Sequence, residues 1–249
     1  MERMKNTSFA ATQAGNAGTK AQIDTGLRAH MNKVYGLMAG GMVITGGAAW
    51  AVGTSPALLG LFRNPETLQP NMLGWIIMFA PLIAVFALGG MINRISAAAA
   101  QTAFYAFSAL MGLSISWIFV AFTGMSIAQI FLITSIAFAS LSLWGYTTKT
   151  DMSGWGTFLI MGVVGLIVAS IVNIFLGSPA IMFAVASIGV LIFSALTAYD
   201  TQRIKNEYVQ HAQVGDAEWL DKSATMGALS LYINFINMFI MLLVSFGRE

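Results

Sequence analysis

The chain has 249 residues, of which 57% are hydrophobic and 9% are charged, and its formal net charge at pH 7 is +2. Soluble domains carry about 25% charged residues, so this composition excludes a protein dissolved in water and predicts one that lies in a lipid bilayer. The chain contains no cysteine, which excludes disulfides, thiolate metal sites and cysteine nucleophiles.

The first thirty residues are rich in Ala, Gly, Thr, Asn and Gln and show no apolar periodicity. Such a segment cannot bury enough apolar surface to offset the entropy cost of ordering it. It also lacks the apolar stretch of a cleaved signal peptide, so the first span is expected to act as an uncleaved anchor. We predict a disordered cytoplasmic tail over residues 1–29 and a transmembrane domain over residues 30–249.

Seven long apolar runs follow the tail, and none of them contains Asp, Glu, Lys or Arg. A bilayer core of about 30 Å needs roughly 20 apolar residues in helical form, and the continuous runs do not fit the alternating pattern of a barrel. The predicted spans are 34–52, 73–92, 103–122, 130–147, 158–176, 180–199 and 224–246. The sequence therefore predicts an all-α membrane protein with seven transmembrane helices, most of them joined as antiparallel hairpins.

Positive charge is distributed unequally between the two sides of the membrane. If the spans alternate, ten of the twelve Lys and Arg fall on the side of the N-terminus, and only Arg63 and Arg248 fall on the other side. Cytoplasmic segments retain the positive charge, so the N-terminus is predicted to be cytoplasmic and the C-terminus external.

Two local patterns near the first span each allow two interpretations. The segment 55–72 mixes apolar residues with Arg63 and Glu66, which suits either a short interfacial helix or an ordinary loop. Gly36 and Gly40 form a small-xxx-small pair, which favours close packing inside one bundle or, alternatively, dimerisation.

Polar residues are sparse in the last two spans, and their spacing suggests a site. Asp200 directly follows the apolar run of the sixth span, while Ser230, Asn234 and Asn237 recur at intervals of four and three, which places them on one helix face. An acid at this depth normally faces the bundle interior or a water-filled path. We therefore expect Asp200 and Asn234 to meet at an inner vestibule.

Oxygen atoms of this kind are the ligands that calcium prefers. We therefore predict a calcium site formed by Asp200 and the carbonyl groups of Asn234 and Asn237 and completed by water. Calcium would be a transient cargo, and we predict no resident cofactor. One alternative is that Asp200 is solvated at the membrane interface and paired with Arg203 or Lys205. Another is that the asparagines only join helices, which is their commoner use in lipid.

Enzymatic and light-driven functions are not supported by the sequence. No span contains paired acids, a zinc-protease motif or a hydrolase elbow, and the last span has no central lysine for a Schiff base. His30 and His211 lie outside the predicted spans and are interpreted as solvated surface residues, so a transition-metal site fits badly. We predict a protein that is not an enzyme and does not bind nucleic acid.

Three stretches resemble the bacterial branch of the transmembrane Bax inhibitor motif family. They are 144–151 (WGYTTKTD), 189–205 (GVLIFSALTAYDTQRIK) and 227–237 (GALSLYINFIN). The resemblance implies a seven-helix bundle with the last helix at its centre. It also implies a pH-sensitive calcium leak governed by two aspartates, of which the first matches Asp200 and the second is replaced here by Asn234.

This replacement has a consequence for the titration of the site. With Asn234 present, two carboxyl groups cannot share a proton, so we expect a weaker calcium affinity and a shifted or shallower pH response than in relatives with both acids. The resemblance makes Arg94 a candidate gate partner of the acid, with Arg203 as a second candidate, although Arg94 also fits an ordinary positive-inside residue. Some bacterial relatives modulate a membrane-bound protease, so a regulator of such a partner is the alternative function.

Overall fold

The computed structural model describes residues 2–64, 66–67, 69–211 and 216–248, with side chains from residue 22 onward. These described ranges contain nine helices and no β-strand. The helices are α1 (Glu2–Gly53), α2 (Pro56–Phe62), α3 (Met72–Met91), α4 (Ala97–Ile115), α5 (Ile118–Ala121), α6 (Gly124–Thr147), α7 (Trp155–Leu176), α8 (Pro179–His211) and α9 (Ala217–Phe246).

Seven helical segments are long and apolar enough to cross a bilayer, which confirms the predicted fold class. Five of them are α3, α6, α7, α8 and α9, the sixth is the part of α1 from Gln22 to Gly53, and the seventh is α4 continued through α5. The orientation of the N-terminus stays a prediction.

The packed part of α1 begins before the predicted domain boundary. Leu27 is buried, and His30 is 6% exposed with its ring centroid 4.9 Å from that of Tyr208 on α8. The interpretation of His30 as a solvated surface residue is therefore wrong, because α1 already contacts α8 at this level. The predicted disordered tail, residues 1–29, lies mostly outside the described side chains, so the tail and its boundary stay predictions.

The connection between α1 and α3 contains both a short helix and a loop, the two alternatives that the sequence allows for residues 55–72. It contains the short helix α2, whose start is capped by Ser55 through a hydrogen bond from the Leu58 amide. The chain then leaves helical geometry, and Arg63 forms an isolated antiparallel bridge with Pro70.

Helices α8 and α9 both extend beyond their predicted spans. The predicted spans leave the hydrophilic stretch 201–223 as a connection, but α8 continues to His211 and α9 begins at Ala217. The side chain of Asp216 caps α9 by accepting a hydrogen bond from the Trp219 amide at 2.7 Å. Residues 201–211 include good helix formers and neither Gly nor Pro, so helix propensity continues α8 beyond the apolar run. Asp200 therefore lies inside a continuous helix and not at its end.

The last helix lies at the centre of the bundle, as the resemblance implies. Helix α9 packs against α1, α4, α6 and α8, whereas α3 packs mainly on α4 and α7 mainly on α8. In the most apolar stretch of α9, 50% of the residues are buried inside the bundle. In the corresponding stretches of α3 and α7, only 11% are buried. The outer helices thus present most of their surface to lipid, and α9 forms the core that positions the polar residues.

Close packing of α1 depends on different glycines from the predicted pair. A Cβ atom at Gly112 of α4 would lie 2.5 Å from the carbonyl oxygen of Thr45, and one at Gly41 would lie 2.8 Å from the ring of Phe104. Gly40 faces Tyr105, which agrees with packing inside the bundle, while Gly36 faces open space.

Gly145 brings α6 against the backbone of α8 beside Asp200. A Cβ atom at this position would lie 2.8 Å from the Cα of Ala198. Because backbone cannot yield as a flexible side chain does, Gly145→Ala is expected to lower the free energy of unfolding by about 1–3 kcal/mol. The matched control is Gly165→Ala on α7, where the added methyl group meets open space. Because alanine has a higher helix propensity than glycine, this control should raise the free energy of unfolding by up to about 1 kcal/mol. Denaturant unfolding in detergent measures both, and equal effects would contradict the predicted clash.

Candidate functional site

Asp200 is buried in the bundle and bonded to the last helix. Asp200 is only 5% exposed, and its Oδ2 accepts a hydrogen bond from Asn234 Nδ2 at 2.7 Å. A carboxylate can only accept, so the amide of Asn234 must present its nitrogen to Asp200. The structure thus brings together the two residues that the sequence predicts to meet, while their role in binding ions stays a prediction.

Arg203 is the second partner of Asp200. Its Nη2 lies 3.0 Å from Asp200 Oδ1 and donates to Ser230 Oγ on α9 at 3.1 Å. The interfacial alternative is therefore right about the ion pair with Arg203 and wrong about a solvated carboxyl group. Lys205 does not join this pair, because its ammonium donates to the carbonyl oxygen of Tyr146 at 2.7 Å.

These two partners balance the buried charge. An isolated carboxylate in a low-dielectric interior is costly, and a guanidinium and an amide donor offset that cost. Each oxygen of Asp200 already has a polar partner, and the guanidinium of Arg203 occupies the side of the carboxylate nearest the exposed part of that arginine. Within the described residues, no three His, Cys, Asp or Glu side chains come together in a metal-binding group.

A polar cavity of about 260 Å³ lies next to this ion pair. It is lined by Ser153, Tyr199, Gln202, Arg203, Asn206, Glu207 and Gln210. Arg203 therefore touches both the cavity and Asp200, whereas Asp200 is not among the lining residues. Neither Asp200 nor Asn234 lines this cavity, so the inner vestibule stays a prediction, and the guanidinium of Arg203 is the group that links the cavity to the carboxylate.

Gln202 fixes the connection between α6 and α7 to the site helix, a role that the sequence analysis missed. Its Oε1 accepts from the Met152 amide at 2.8 Å, and its Nε2 donates to the Thr150 carbonyl oxygen at 2.8 Å. These contacts join two of the three stretches that carry the family resemblance. The one indication in the sequence that these two stretches meet is that both belong to the family resemblance.

A chain of hydroxyl groups runs from α8 through α6 to α1. Thr201 Oγ1 donates to the carbonyl oxygen of Thr197 and lies 2.9 Å from Ser142 Oγ, which lies 2.6 Å from Tyr35 Oη. Thr201 and Ser142 are buried, so each hydroxyl group needs such a partner. The chain ties three helices together directly beside Asp200.

Two other predicted site residues lie apart from Asp200. Asn237 Nδ2 donates to the carbonyl oxygen of Ile233 on its own helix at 2.9 Å. Arg94 is exposed in the turn between α3 and α4, where its amide donates to the Met91 carbonyl oxygen. Helix α3 packs mainly against α4, so Arg203 and not Arg94 is the cation bonded to the acid here. The ion-binding role of Asn237 and the gate role of Arg94 stay predictions.

The core beyond Asn234 is apolar. The buried residues of α9 after this position are Phe235, Ile236, Met238, Phe239 and Leu243. From Asn234 to the end of α9 at Phe246 the helix rises about 18 Å at 1.5 Å per residue. Beyond its contact with Asp200, α9 therefore presents a long section of packed apolar side chains.

Comparison with known proteins places the chain among bacterial membrane proteins. The family described as "Inhibitor of apoptosis-promoting Bax1" matches residues 27–249. Inner membrane protein YbhL of Escherichia coli (strain K12) is 44% identical over 225 residues, which cover 90% of this chain and 93% of that protein. An uncharacterized protein of Caulobacter vibrioides is 44% identical over 228 residues, or 90% of each chain. An uncharacterized membrane protein of Streptococcus pyogenes serotype M6 is 38% identical over 232 residues, covering 92% of this chain and 96% of that protein.

The family match covers the whole described bundle from Leu27 onward and therefore includes all three resembling stretches. The seven apolar helices and the likeness to an inner membrane protein make the chain a multi-pass protein of the inner membrane. The chain belongs to the Bax inhibitor family.

Proposed function

We propose that this protein is a pH-sensitive leak pathway for calcium or other cations, in which Asp200 binds the ion and the proton. The observation that carries the proposal is that the Asp200 carboxylate is buried and shared between Arg203 and Asn234. Ionisable groups inside a membrane bundle are costly, and those that are retained mark ion or proton pathways. Asn234 is the neutral partner of the acid, and the proposal includes no catalytic step.

Arg203 acts as the gate in this mechanism. A cation that enters the polar cavity must replace the guanidinium at Asp200, because Arg203 lines that cavity and holds the carboxylate. Protonation of Asp200 removes the charge that attracts both Arg203 and the cation. Since one carboxyl group takes part, the flux should follow a single titration and lack the steeper response of a coupled pair.

Asp200→Asn is expected to abolish the pH dependence of calcium flux through purified protein in liposomes. The amide keeps the shape of the side chain but can neither gain nor lose a proton. The matched control is Glu218→Gln, because Glu218 pairs with Lys222, lies outside the cavity lining and has a side chain 57% exposed. This control should keep the pH profile of the unmodified protein.

Two outcomes of this experiment would contradict the proposal. A pH profile that is the same in Asp200→Asn and the unmodified protein would remove Asp200 from the mechanism. If neither protein conducts calcium, the leak function fails, and regulation of a membrane-bound protease or another membrane partner becomes the better hypothesis.

A further inference from the structure

A lateral groove runs between α1 and α6 with α9 as its floor, and the hydrogen bond between Tyr35 and Ser142 crosses it at 2.6 Å. Both walls pack on α9, which contributes Phe235 to the groove. The main section has a volume of about 860 Å³ and runs along residues 28–43 of α1 and 131–146 of α6. A further section of about 340 Å³ shares Met42 and Phe131 with it and continues toward the other end of the bundle.

The open side of this groove faces the hydrocarbon of the bilayer. Both walls are membrane-spanning helices, and the lining residues Val43 and Leu143 are 75% and 64% exposed. Water does not reach this depth, and an apolar groove open to lipid is filled by whatever hydrocarbon fits it. The volume of the main section lies within the range of about 300–1,000 Å³ that binding sites for small molecules occupy.

One end of the groove is positively charged. Arg28 is exposed and is the one charged residue among those described as lining the two sections. Tyr146 also lines the main section, and the Lys205 ammonium lies 5.2 Å from the centroid of its ring. Asn32 adds an exposed amide there. A ligand that suits the groove therefore combines an anionic, hydrogen-bonding head with a long apolar chain.

The length of the groove fits one leaflet of a membrane. The main section extends over fifteen residue steps of α1, from Arg28 to Val43, which is about 22 Å of helix at 1.5 Å per residue. Half of a hydrocarbon core measures about 15 Å, so an acyl chain and the glycerol above it span this distance. The charged end then lies at the level of the headgroups of the same leaflet.

We propose that this groove is a binding site for one anionic glycerophospholipid. Its phosphate group contacts Arg28 and Asn32, and one acyl chain lies between α1 and α6 against Phe138 and Phe235. A second copy of the chain is a poorer occupant, because two-fold contact through this face would bring the two Arg28 side chains to the same end of the interface. The proposal concerns a lipid site and does not depend on the leak function.

Native mass spectrometry tests the preference for an anionic headgroup. Protein is reconstituted in vesicles of equal parts phosphatidylglycerol and phosphatidylcholine, extracted in mild detergent and weighed with its retained lipid. The unmodified protein should retain one phosphatidylglycerol, and Arg28→Gln should reduce its excess over phosphatidylcholine about fivefold, since one basic residue contributes about 1 kcal/mol near a lipid surface. The control Arg63→Gln removes a positive charge outside the groove and should leave the ratio unchanged.

A second variant tests the groove itself. Ala139 is an exposed residue of α6 that lines the main section, so Ala139→Trp should fill the groove and abolish lipid retention. The control Ala184→Trp adds the same bulk at an exposed position of α8 that lines neither section. If the unmodified protein retains no lipid, if it retains both lipids equally, or if a second chain replaces the lipid in the spectrum, the proposal is overturned. If Ala139→Trp does not fold, the lipid ratio of Arg28→Gln still tests the proposal, because an unchanged ratio in this variant would overturn it.

Discussion

Replacing Arg203 with glutamine is expected to lower the free energy of unfolding at neutral pH by about 1–3 kcal/mol, because a buried carboxylate loses its cation while the guanidinium itself is 41% exposed. It should also raise calcium flux into liposomes at neutral pH. The stability change is measured by denaturant unfolding in detergent without calcium, and the flux is measured with a calcium-sensitive dye. Both follow from the position of the guanidinium between the polar cavity and Asp200.

The physical reason is that Asp200 would keep a single polar partner. After Arg203→Gln the carboxylate retains the amide of Asn234 at 2.7 Å but loses the cation at 3.0 Å. A residue only 5% exposed receives little compensation from water. A calcium ion or a proton can restore neutrality, so added calcium should recover part of the lost stability, and so should acid.

Two controls separate the lost ion pair from a general loss of positive charge. Lys149→Gln removes an exposed cation from the connection between α6 and α7, and it should change stability by no more than about 0.5 kcal/mol. The double variant Asp200→Asn with Arg203→Gln removes both charges, so it should be more stable than Arg203→Gln alone. Unchanged stability and unchanged flux in Arg203→Gln would remove this arginine from the gate.

The contact between Asp200 and Asn234 was predictable from the sequence because it depends on regular features. The apolar runs fix the number of spans, and helical spacing places the polar residues of the last span on one face. A costly acid at membrane depth must then find a polar partner inside the bundle. These arguments need only helix geometry and the energetics of lipid, and the structure agrees with them.

The neighbours of this pair were harder to predict because they depend on helix ends and on packing. The predicted sixth span ends at residue 199, but α8 continues, which places Arg203 one turn after Asp200 and directs it to Ser230. Asn237 satisfies its amide within its own helix, an option that spacing alone cannot exclude. The separation of α1 from α6 depends on how both pack against α9, so no periodicity within either helix indicates the groove.

Replacing Asn234 with aspartate is expected to raise calcium affinity at least about tenfold, which corresponds to about 1.4 kcal/mol. The new carboxyl group would stand where an amide now lies 2.7 Å from Asp200, so two acids would face one arginine. Calcium sites bind more tightly as their carboxylates increase in number. Two acids in contact also share a proton, so the pH dependence of the flux should become steeper or divide into two steps.

Asn237→Asp is the matched control, because it adds the same charge to the same helix one turn further on. Its amide is bonded to the Ile233 carbonyl oxygen and not to Asp200, so the new acid should titrate independently and leave the shape of the pH profile unchanged. Calorimetric calcium titration in detergent and liposome flux across pH distinguish the two variants. If Asn234→Asp leaves both affinity and pH profile unchanged, a carboxyl pair at this contact cannot be the element that makes the pathway pH-sensitive. If instead Asn237→Asp gives the larger change, the ion-binding group lies one turn deeper in the bundle than the Asp200 contact indicates.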